Sequence, residues 1–235
     1  MNILVTGASK GIGKAIAQEL KTLGKVYVTA RSEQALKELK CSGYFVCDLA
    51  NENDLIKLGE YIIEKEIDVL VNNAGEYIYS KIEDTKINKL NHIMAVNLKA
   101  PAYLMAKAVE NMKKNNFGRI INIGSISGVM GEAGAGMYSA TKAGLVGLTK
   151  ATGLELAEYG ITVNTINPGW VDTELGQTSI EDSEFCAEEI IECIPQKRYV
   201  EPKEIAALIK FLISDGAKGI TGQSINVCAG LSVGI

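Results

Sequence analysis

The sequence predicts an α/β fold in which a doubly wound, open parallel sheet of seven strands carries helices on both faces. Short β-branched runs alternate with longer segments of helical period from one end of the chain to the other. Strands that are joined through helices pair in parallel with right-handed crossovers. Ligands of such sheets bind at the carboxyl ends of the strands, so we expect the functional motifs there.

The individual elements can be placed from their periodicity. The expected strands cover residues 3–6, 25–30, 44–47, 68–72, 119–123, 162–167 and 224–227. The first helix carries one apolar stripe, formed by Ile12, Ile16, Ala17, Leu20 and Leu23. We expect Gly24 to end that helix in the C-cap role. The longest helices are expected at residues 86–115 and 137–159.

Length and composition indicate one soluble domain spanning residues 1–235. The chain is 47% hydrophobic and 22% charged, without a linker or low-complexity segment. No apolar run reaches the roughly 18 residues that span a bilayer, and the strand-like residues 3–5 leave no room for a signal segment. We therefore expect a cytoplasmic protein with no membrane partner.

Charge and cysteine content further restrict the classes of molecule that the protein is expected to bind. A formal charge of −4 without a basic run argues against nucleic acid. The five cysteines form no CxxC pair, and the chain has one histidine, so we expect free thiols and no metal site. Small molecules remain as the expected partners.

A glycine-rich segment, TGASKGIG at residues 6–13, joins the first strand to the first helix. Small residues there let backbone N–H groups and the helix N-terminus approach a pyrophosphate. The GxxxGxG spacing differs from the commoner GxGxxG, and an ordinary tight turn is the alternative interpretation. The residues that we expect to bind a dinucleotide are Gly7, Ser9, Lys10, Gly11, Ile12 and Gly13.

The tip of the second strand is expected to meet the adenosine ribose, where an acid favours NAD and an arginine favours NADP. Ala30 occupies that tip and Arg31 follows it, whereas Glu33 is expected to start the next helix. Lys10 adds a second cation within reach of a 2′-phosphate. Either cation can also be a solvated surface residue, but together they favour NADP(H) over NAD(H).

Two further loops follow the third and fourth strands. Asp48 and Leu49 are suited to line an adenosine pocket, with Asp48 accepting a hydrogen bond from the adenine amino group. A helix N-cap is the alternative role for Asp48. In the loop NNAG, residues 72–75, we expect Asn73, Ala74 and Gly75 to approach the cofactor.

A tyrosine followed by a lysine four residues later places both side chains on one helix face, where the ammonium can lower the tyrosine pKa. The chain contains this spacing five times, at Tyr61/Lys65, Tyr77/Lys81, Tyr103/Lys107, Tyr138/Lys142 and Tyr199/Lys203. Only Tyr138 opens a long helix after a glycine-rich loop and a strand that ends at Ser125. Ser125 can polarise a substrate carbonyl while Tyr138 delivers a proton and a nicotinamide delivers a hydride.

Taken together, these motifs resemble the short-chain dehydrogenase/reductase family over the whole chain. The resemblance rests on the TGxxxGIG loop, on NNAG, on a serine 13 positions before the tyrosine, and on Pro168-Gly169 with Thr173. It implies an NAD(P)-dependent oxidoreductase with a Rossmann-type fold acting on CH–OH groups. It also implies that Asn97 completes a catalytic set with Ser125, Tyr138 and Lys142, kinking its helix.

The resemblance has further implications for the site and the assembly. Pro168, Gly169, Val171 and Thr173 would position the nicotinamide carboxamide, and Lys142 would also hold the nicotinamide ribose. A homotetramer or homodimer follows by analogy.

Within the family the pattern is most similar to 3-oxoacyl-(acyl-carrier-protein) reductases of fatty acid biosynthesis, through residues 118–125 and 220–223. Residues 226–230 also resemble aromatic polyketide ketoreductases. Where carrier-docking arginines are expected, the chain has Asn116 and Tyr159, with Lys113 and Lys114 nearby. A dehydrogenase of a small secondary alcohol or sugar, a reductase of a polyketide-like ketone, and a non-catalytic dinucleotide sensor or scaffold stay as alternatives.

A substrate lid is expected at about residues 174–195. Its first part carries acids without a lysine or arginine: Glu174, Glu181, Asp182, Glu184, Glu188, Glu189 and Glu192. This charge would repel an anionic partner, or it is a solvated helix face whose apolar side chains Phe185, Ile190 and Ile191 point inward. Tyr77, Tyr79, Met130 and Trp170 are expected around the reacting carbonyl, and a place in the core or in a subunit interface is the alternative for each.

Overall fold

A computed structural model of the chain describes residues 1–182 and 186–233. Its strands are β1 Asn2–Thr6, β2 Lys25–Ala30, β3 Gly43–Val46, β4 Val69–Asn72, β5 Gly118–Ile123, β6 Ile161–Pro168 and β7 Ser224–Val227. They form a seven-stranded parallel sheet in the order β3-β2-β1-β4-β5-β6-β7. The predicted strands are confirmed, and each predicted boundary lies within one residue of the observed one.

The helices are α1 Gly11–Leu20, α2 Glu33–Glu38, α3 Glu52–Glu64, α4 Ile87–Met94, α5 Ala100–Asn115, α6 Ser127–Met130, α7 Gly136–Leu156, α8 Glu174–Asp182, α9 Ala187–Cys193 and α10 Pro202–Leu212. A π-helical segment, Ala95–Lys99, joins α4 to α5, so the helix expected at 86–115 is continuous but bulged. None of the helices in the described ranges is long and apolar enough to cross a membrane.

The central strands of the sheet are buried on both faces, as the doubly wound prediction requires, whereas Tyr44 and Val46 on the edge strand β3 are exposed. Alternate residues of β1 show this, because Ile3 and Val5 join the core under α1 and α10, whereas Leu4 joins the core under α3 and α5. All three side chains are fully buried. Strands covered on both faces read as continuous apolar runs, as the Ile3-Leu4-Val5 run of β1 does in the sequence.

The first helix differs from its prediction at its C-terminal end. It ends at Leu20, and the C-cap residue Lys21 is right-handed. Gly24 has no left-handed backbone and does not cap the helix. A Cβ at Gly24 would lie 2.2 Å from the carbonyl oxygen of Met1, so close approach of the first residue explains the glycine.

Helix α7 is held on the sheet by buried polar contacts. The Thr149 hydroxyl lies 2.8 Å from Asn122 Nδ2 on β5 and 2.6 Å from the Thr165 hydroxyl on β6. Asn122 also accepts a hydrogen bond of 2.8 Å from Asn72 on β4. Buried side-chain hydrogen bonds are geometrically specific, so these contacts fix α7, and with it Tyr138 and Lys142, against three strands.

Candidate active site

A cavity of about 710 Å³ lies across the carboxyl ends of the strands. It sits where the strand order reverses between β1 and β4, the usual ligand crevice of open α/β sheets. All of the predicted cofactor-binding residues line it: Gly7, Ser9, Lys10, Gly11, Ile12, Gly13, Arg31, Asp48, Leu49, Asn73, Ala74, Gly75, Tyr138, Lys142, Pro168, Gly169, Val171 and Thr173. Ser125 lines the same cavity.

The glycine loop between β1 and α1 brings its backbone close to this cavity. Gly7 has a φ of +64°, a left-handed conformation that favours glycine. A Cβ at Gly13 would lie 2.3 Å from the Gly7 carbonyl oxygen. Lys10, the N-cap residue of α1, provides no side-chain cap, and the first turn contains no acid. The helix terminus therefore suits an anion such as a pyrophosphate.

The NNAG loop is tied directly to the glycine loop. The backbone N–H groups of Asn73 and Ala74 both donate to the Thr6 hydroxyl, each at 3.0 Å. The Asn73 side chain donates to the Thr6 carbonyl at 2.8 Å and to the Gly7 carbonyl at 3.2 Å. Asn73 lines the cavity, but its amide group stabilises the neighbouring loop.

Both predicted phosphate-binding cations are paired with acids at the cavity edge. Arg31 Nη1 lies 3.0 Å from Glu76 Oε1, and Lys10 Nζ lies 2.5 Å from Glu174 Oε1. The sequence did not predict that these two carboxylates pair with the cations, although Glu76 directly follows NNAG. Glu33 starts α2 as predicted and pairs with Lys37 at 2.9 Å, away from this site.

Asp48 is not the N-cap of α3, so that alternative is wrong. Asn51 holds that position and accepts a hydrogen bond from the Asp54 N–H at 3.1 Å. The Asp48 carboxylate accepts instead from the Ala50 N–H at 3.0 Å, within its own turn. An adenine contact by Asp48 stays a prediction, and its place on the cavity wall is compatible with it.

The reactive end of the cavity brings together three predicted side chains from two elements. Ser125 follows β5, and Tyr138 and Lys142 lie on one face of α7. All three are buried, with exposed fractions of 8%, 9% and 4%. Lys142 Nζ lies 5.7 Å from the centre of the Tyr138 ring and donates to the Ile123 carbonyl at 2.8 Å.

Burial sets the ionisation of this pair. It raises the pKa of Tyr138 to about 12, an effect that the negative charge of Glu132 reinforces and a hydrogen bond with Ser125 opposes. Burial also lowers the pKa of Lys142 to about 8. The expectation that the tyrosine pKa is lowered is therefore wrong for this structure, because desolvation disfavours the phenolate. Tyr138 is held in the protonated form that a proton donor needs.

Asn97 lies in the π-helical segment and does not line the cavity. Its side-chain oxygen accepts from the Glu76 N–H, and its amide group donates to the Glu76 carbonyl, both at 2.9 Å. The amide also donates to the Thr141 hydroxyl on α7 at 3.2 Å. The resemblance implies a kink at Asn97, and the structure has a π-helical segment at this position, which Asn97 links to the residue after the NNAG loop and to α7.

The other tyrosine and lysine pairs lie in different surroundings. Tyr61 and Tyr103 pack against the core on the α3 and α5 side of the sheet. Tyr77 and Lys81 belong to a non-helical segment, so their spacing does not place them on one helix face. Tyr199 also lies outside the helices. Among the five pairs, Tyr138/Lys142 is the pair that lines the cavity from one helix.

The sequence did not reveal a hydrogen-bonded cluster beside Tyr138. The Tyr77 hydroxyl donates to Glu132 Oε1 at 2.7 Å, and the Ser127 hydroxyl donates to Glu132 Oε2 at 2.5 Å. Ser127 Oγ lies 3.1 Å from Ser125 Oγ. The rings of Tyr77 and Tyr138 meet edge to face at 5.1 Å. Tyr77 lies 55 positions before Glu132 along the chain, so no local pattern predicts the full cluster.

The four side chains expected around the carbonyl separate into two groups. Tyr77, Met130 and Trp170 line the cavity. Tyr79 instead lines a neighbouring depression with His92, and its ring lies against Gly134. The expectation for Tyr79 is therefore wrong.

The loop after β6 approaches β7 closely. The Gly169 N–H donates to the Val227 carbonyl at 2.9 Å, and a Cβ at Gly169 would lie 2.9 Å from the Cα of Cys228. The Thr173 hydroxyl accepts from the Gly176 N–H at 3.1 Å at the start of α8. The loop is therefore fixed on one side of the cavity.

The predicted lid contains α8 and α9, and Leu175, Gly176 and Ser179 of α8 line the cavity. On α9, Ile190 is buried, whereas Glu188, Glu189 and Glu192 are exposed. This arrangement favours the solvated helix face for α9. Glu184 and Phe185, also named in the lid prediction, lie outside the described residues.

The fold and the cavity define a class of protein: a dinucleotide-binding α/β protein with a buried serine, tyrosine and lysine at one end of its ligand crevice. A family model described as Enoyl-(Acyl carrier protein) reductase matches residues 7–232. The chain belongs to the short-chain dehydrogenase/reductase family and is an oxidoreductase.

Relatives and solved structures agree over nearly the full chain. The chain is 38% identical to the 3-oxoacyl-[acyl-carrier-protein] reductase FabG of Rickettsia felis, over 97% of this chain and 95% of the relative. It is 39% identical to the protein of Streptomyces violaceoruber provisionally named ketoacyl reductase 1 of the granaticin polyketide synthase, covering 97% and 92%. A variant of actinorhodin polyketide ketoreductase solved with NADPH superposes with a TM-score of 0.92 at 35% identity, covering 99% and 97%.

Proposed function

We propose that this protein is an NADPH-dependent carbonyl reductase whose substrate is a 3-oxoacyl thioester, carried by acyl-carrier protein or CoA. The observation that carries the proposal is the convergence of Ser125, Tyr138 and Lys142 at one end of a cavity whose other end is formed by the glycine loop and Arg31. One elongated ligand can reach both ends.

The cavity fits a nicotinamide dinucleotide phosphate. Gly7 and Gly13 leave room for close backbone contact, and the N-terminus of α1 faces the place of a pyrophosphate. Arg31 and Lys10 are the cations available to a 2′-phosphate. The actinorhodin relative was solved with NADPH, which supports NADP(H) over NAD(H) for this chain.

The bound cofactor supplies the hydride that the carbonyl carbon receives. Tyr138 donates its hydroxyl proton to the carbonyl oxygen, and Ser125 donates a hydrogen bond to the same oxygen, so the developing alkoxide is neutralised. Lys142 places a positive charge beside the phenolate that Tyr138 becomes. We assign Asn97 a positioning role through Glu76 and Thr141, and Pro168, Gly169, Val171 and Thr173 the nicotinamide side of the cleft.

The thioester and carrier part of the proposal rests on the relatives and on one surface. Tyr159 and Asn116 replace the expected arginines, but Lys113 Nζ lies 4.4 Å from the centre of the Tyr159 ring. A cation is thus present where an acidic carrier would dock. A polyketide ketone is the second candidate, because two of the compared proteins act in polyketide synthesis by name.

The proposal includes one domain over residues 1–235, a lid formed by α8 and α9, fatty acid biosynthesis in the cytoplasm, and a homotetramer or homodimer. Leu154 on α7 is 83% exposed, which supports an assembly that covers this helix. Light scattering of the purified protein tests the assembly, and a monomer would contradict it.

The substrate assignment is tested with purified protein in two directions. NADPH or NADH is supplied with acetoacetyl-CoA, an acetoacetyl carrier protein or a simple diketone, and NADP+ or NAD+ is supplied with secondary alcohols or sugars. We expect fastest turnover for the 3-oxoacyl thioesters with NADPH. Turnover of alcohols or sugars alone would show that the substrate is not a 3-oxoacyl thioester. No turnover of any carbonyl would contradict the reductase assignment.

A further inference from the structure

The reactive end of the cavity contains a carboxylate that the proposed mechanism does not use. Glu132 lines the cavity together with Ser125, Tyr138 and Trp170. It lies in the loop between α6 and α7 and is half-buried. A carboxylate at a site for a neutral carbonyl is costly to desolvate unless it has hydrogen-bond partners, so its contacts define what it can do.

Glu132 is held by two hydroxyl groups, one on each oxygen. Tyr77 donates to Oε1 at 2.7 Å and Ser127 donates to Oε2 at 2.5 Å. Both donors are neutral, so these contacts fix the carboxylate without cancelling its charge. Each carboxylate oxygen can accept a further hydrogen bond, which leaves capacity for a ligand group.

The charge of Glu132 reaches the reacting groups. It contributes to the raised pKa of Tyr138, so its field acts at the tyrosine hydroxyl. Ser127, one of its donors, lies 3.1 Å from the Ser125 hydroxyl. A substrate whose carbonyl meets Ser125 and Tyr138 therefore places its neighbouring substituents beside a fixed negative charge.

We propose that Glu132 is a specificity-determining residue that selects ketones carrying a hydroxyl or another hydrogen-bond donor near the reacting carbonyl and disfavours ketones carrying a carboxylate there. A donor group on the substrate completes the coordination of the carboxylate, whereas an anion is repelled at short range. The inference rests on the proposed carbonyl reduction. It favours the second candidate substrate, a polyketide-like ketone with a hydroxyl or enol beyond the carbonyl, over the unsubstituted acyl chain of fatty acid biosynthesis.

The test compares three ketones that differ in one substituent: 4-hydroxy-2-butanone, its methyl ether 4-methoxy-2-butanone, and the anion 4-oxopentanoate. For each, kcat and KM are measured from NADPH absorbance with the wild type and with Glu132→Gln, which keeps the size of the side chain. Glu158→Gln removes an equal charge from an exposed position and serves as the matched control.

We expect the wild type to prefer the hydroxyketone to its methyl ether, and Glu132→Gln to reduce that preference about tenfold, through KM, because a hydrogen bond to a charged acceptor is lost. The same variant should improve kcat/KM for 4-oxopentanoate by a similar factor. Glu158→Gln should change neither ratio.

Equal substrate ratios in the wild type and Glu132→Gln would overturn the inference while leaving the reductase assignment intact. A uniform fall in kcat for all three ketones would also overturn it, because Glu132 would then only hold Ser127 and Tyr77 in place. No turnover of the three ketones by a wild type that still reduces acetoacetyl-CoA would overturn the inference alone. No turnover of acetoacetyl-CoA either would contradict the proposed function, and the inference with it.

Discussion

The two ends of the cavity hold their charged groups in opposite ways. At the cofactor end, Arg31 and Lys10 are largely exposed and pair with Glu76 and Glu174. At the reactive end, Ser125, Tyr138 and Lys142 are almost fully buried, and Lys142 is hydrogen-bonded to a strand carbonyl. Exposed ion pairs contribute little and exchange partners easily, whereas buried groups keep one geometry.

Because of this difference, we expect the exposed end of the cavity to control cofactor binding and the buried end to control the chemical step. A 2′-phosphate at the cofactor end has to compete with a carboxylate for its cation, so changes there should alter the KM for the cofactor. Changes to Tyr138 or Lys142 should alter kcat or the stability of the protein, because burial sets the ionisation of these two groups.

The largest effect is expected for Tyr138→Phe, which removes the proposed proton donor and little else. Loss of general-acid catalysis should lower kcat about a hundredfold to ten-thousandfold. The measurement is NADPH oxidation with acetoacetyl-CoA or a diketone. Tyr103→Phe is the control. Tyr103 belongs to a tyrosine and lysine pair that does not line the cavity, so this variant should keep its activity. Full retained turnover in Tyr138→Phe would refute the assigned role.

The next effect is expected for Arg31→Asp, which places an acid where the 2′-phosphate is proposed to bind. Removing a charge-assisted contact and adding repulsion should raise the KM for NADPH about a hundredfold, while the KM for NADH changes little. Steady-state kinetics with both cofactors measure this. Unchanged constants for both cofactors would contradict the role of Arg31.

A pH dependence of stability should follow from Lys142, whose pKa is lowered to about 8 by burial. Between about pH 8 and 10 the unfolded lysine binds a proton that the folded one has lost, so stability should rise with pH in this window. The free energy of unfolding, relative to Lys142→Met, should increase by about 2 kcal/mol between about pH 7.5 and pH 9.5.

Urea denaturation at the two pH values provides this measurement. The rise in stability ends near pH 10. Above this pH the tyrosine of the unfolded chain ionises, whereas the raised pKa of Tyr138 keeps the folded protein protonated, so stability falls. Lys150→Met, at an exposed position, should show no such change relative to the wild type. A pH-independent difference for Lys142→Met would show that burial does not shift the lysine.

The smallest effect is expected for Glu76→Gln. Without the carboxylate, Arg31 no longer has to leave an ion pair when it binds a phosphate, so the KM for NADPH should fall by up to about fivefold. The KM for NADH should stay the same, and Glu83→Gln, an exposed acid outside the cavity, should change neither constant. An equal fall for both cofactors would mean that Glu76 acts on the shared part of the dinucleotide.

The fold was predictable to a large extent because its signals are local. Alternation of short apolar runs with helical segments predicts parallel strands, and the observed boundaries agree within one residue. The end of α1 was not predictable in this way. Gly24 looked like a C-cap, but its lack of a side chain serves a contact with Met1, which is distant along the chain.

The site was predictable where several motifs converge on one sheet edge. Tyrosine-to-lysine spacing alone did not identify the reactive pair, because it occurs five times. The strand-end serine 13 residues earlier selected Tyr138. In contrast, the exclusion of Asp48 as an N-cap and of Tyr79 from the cavity required the packed structure.

The sequence by itself determined the order of strands and helices, the glycine loop, and the identity of Ser125, Tyr138 and Lys142 as candidates, since each depends on neighbours a few residues away. The tertiary structure decided which charges pair and how the buried groups ionise. Lys10 and Glu174 are 164 positions apart, and the pKa of Tyr138 depends on burial and on Glu132 from a separate loop. Desolvation and long-range Coulomb interactions exist only once the chain has folded.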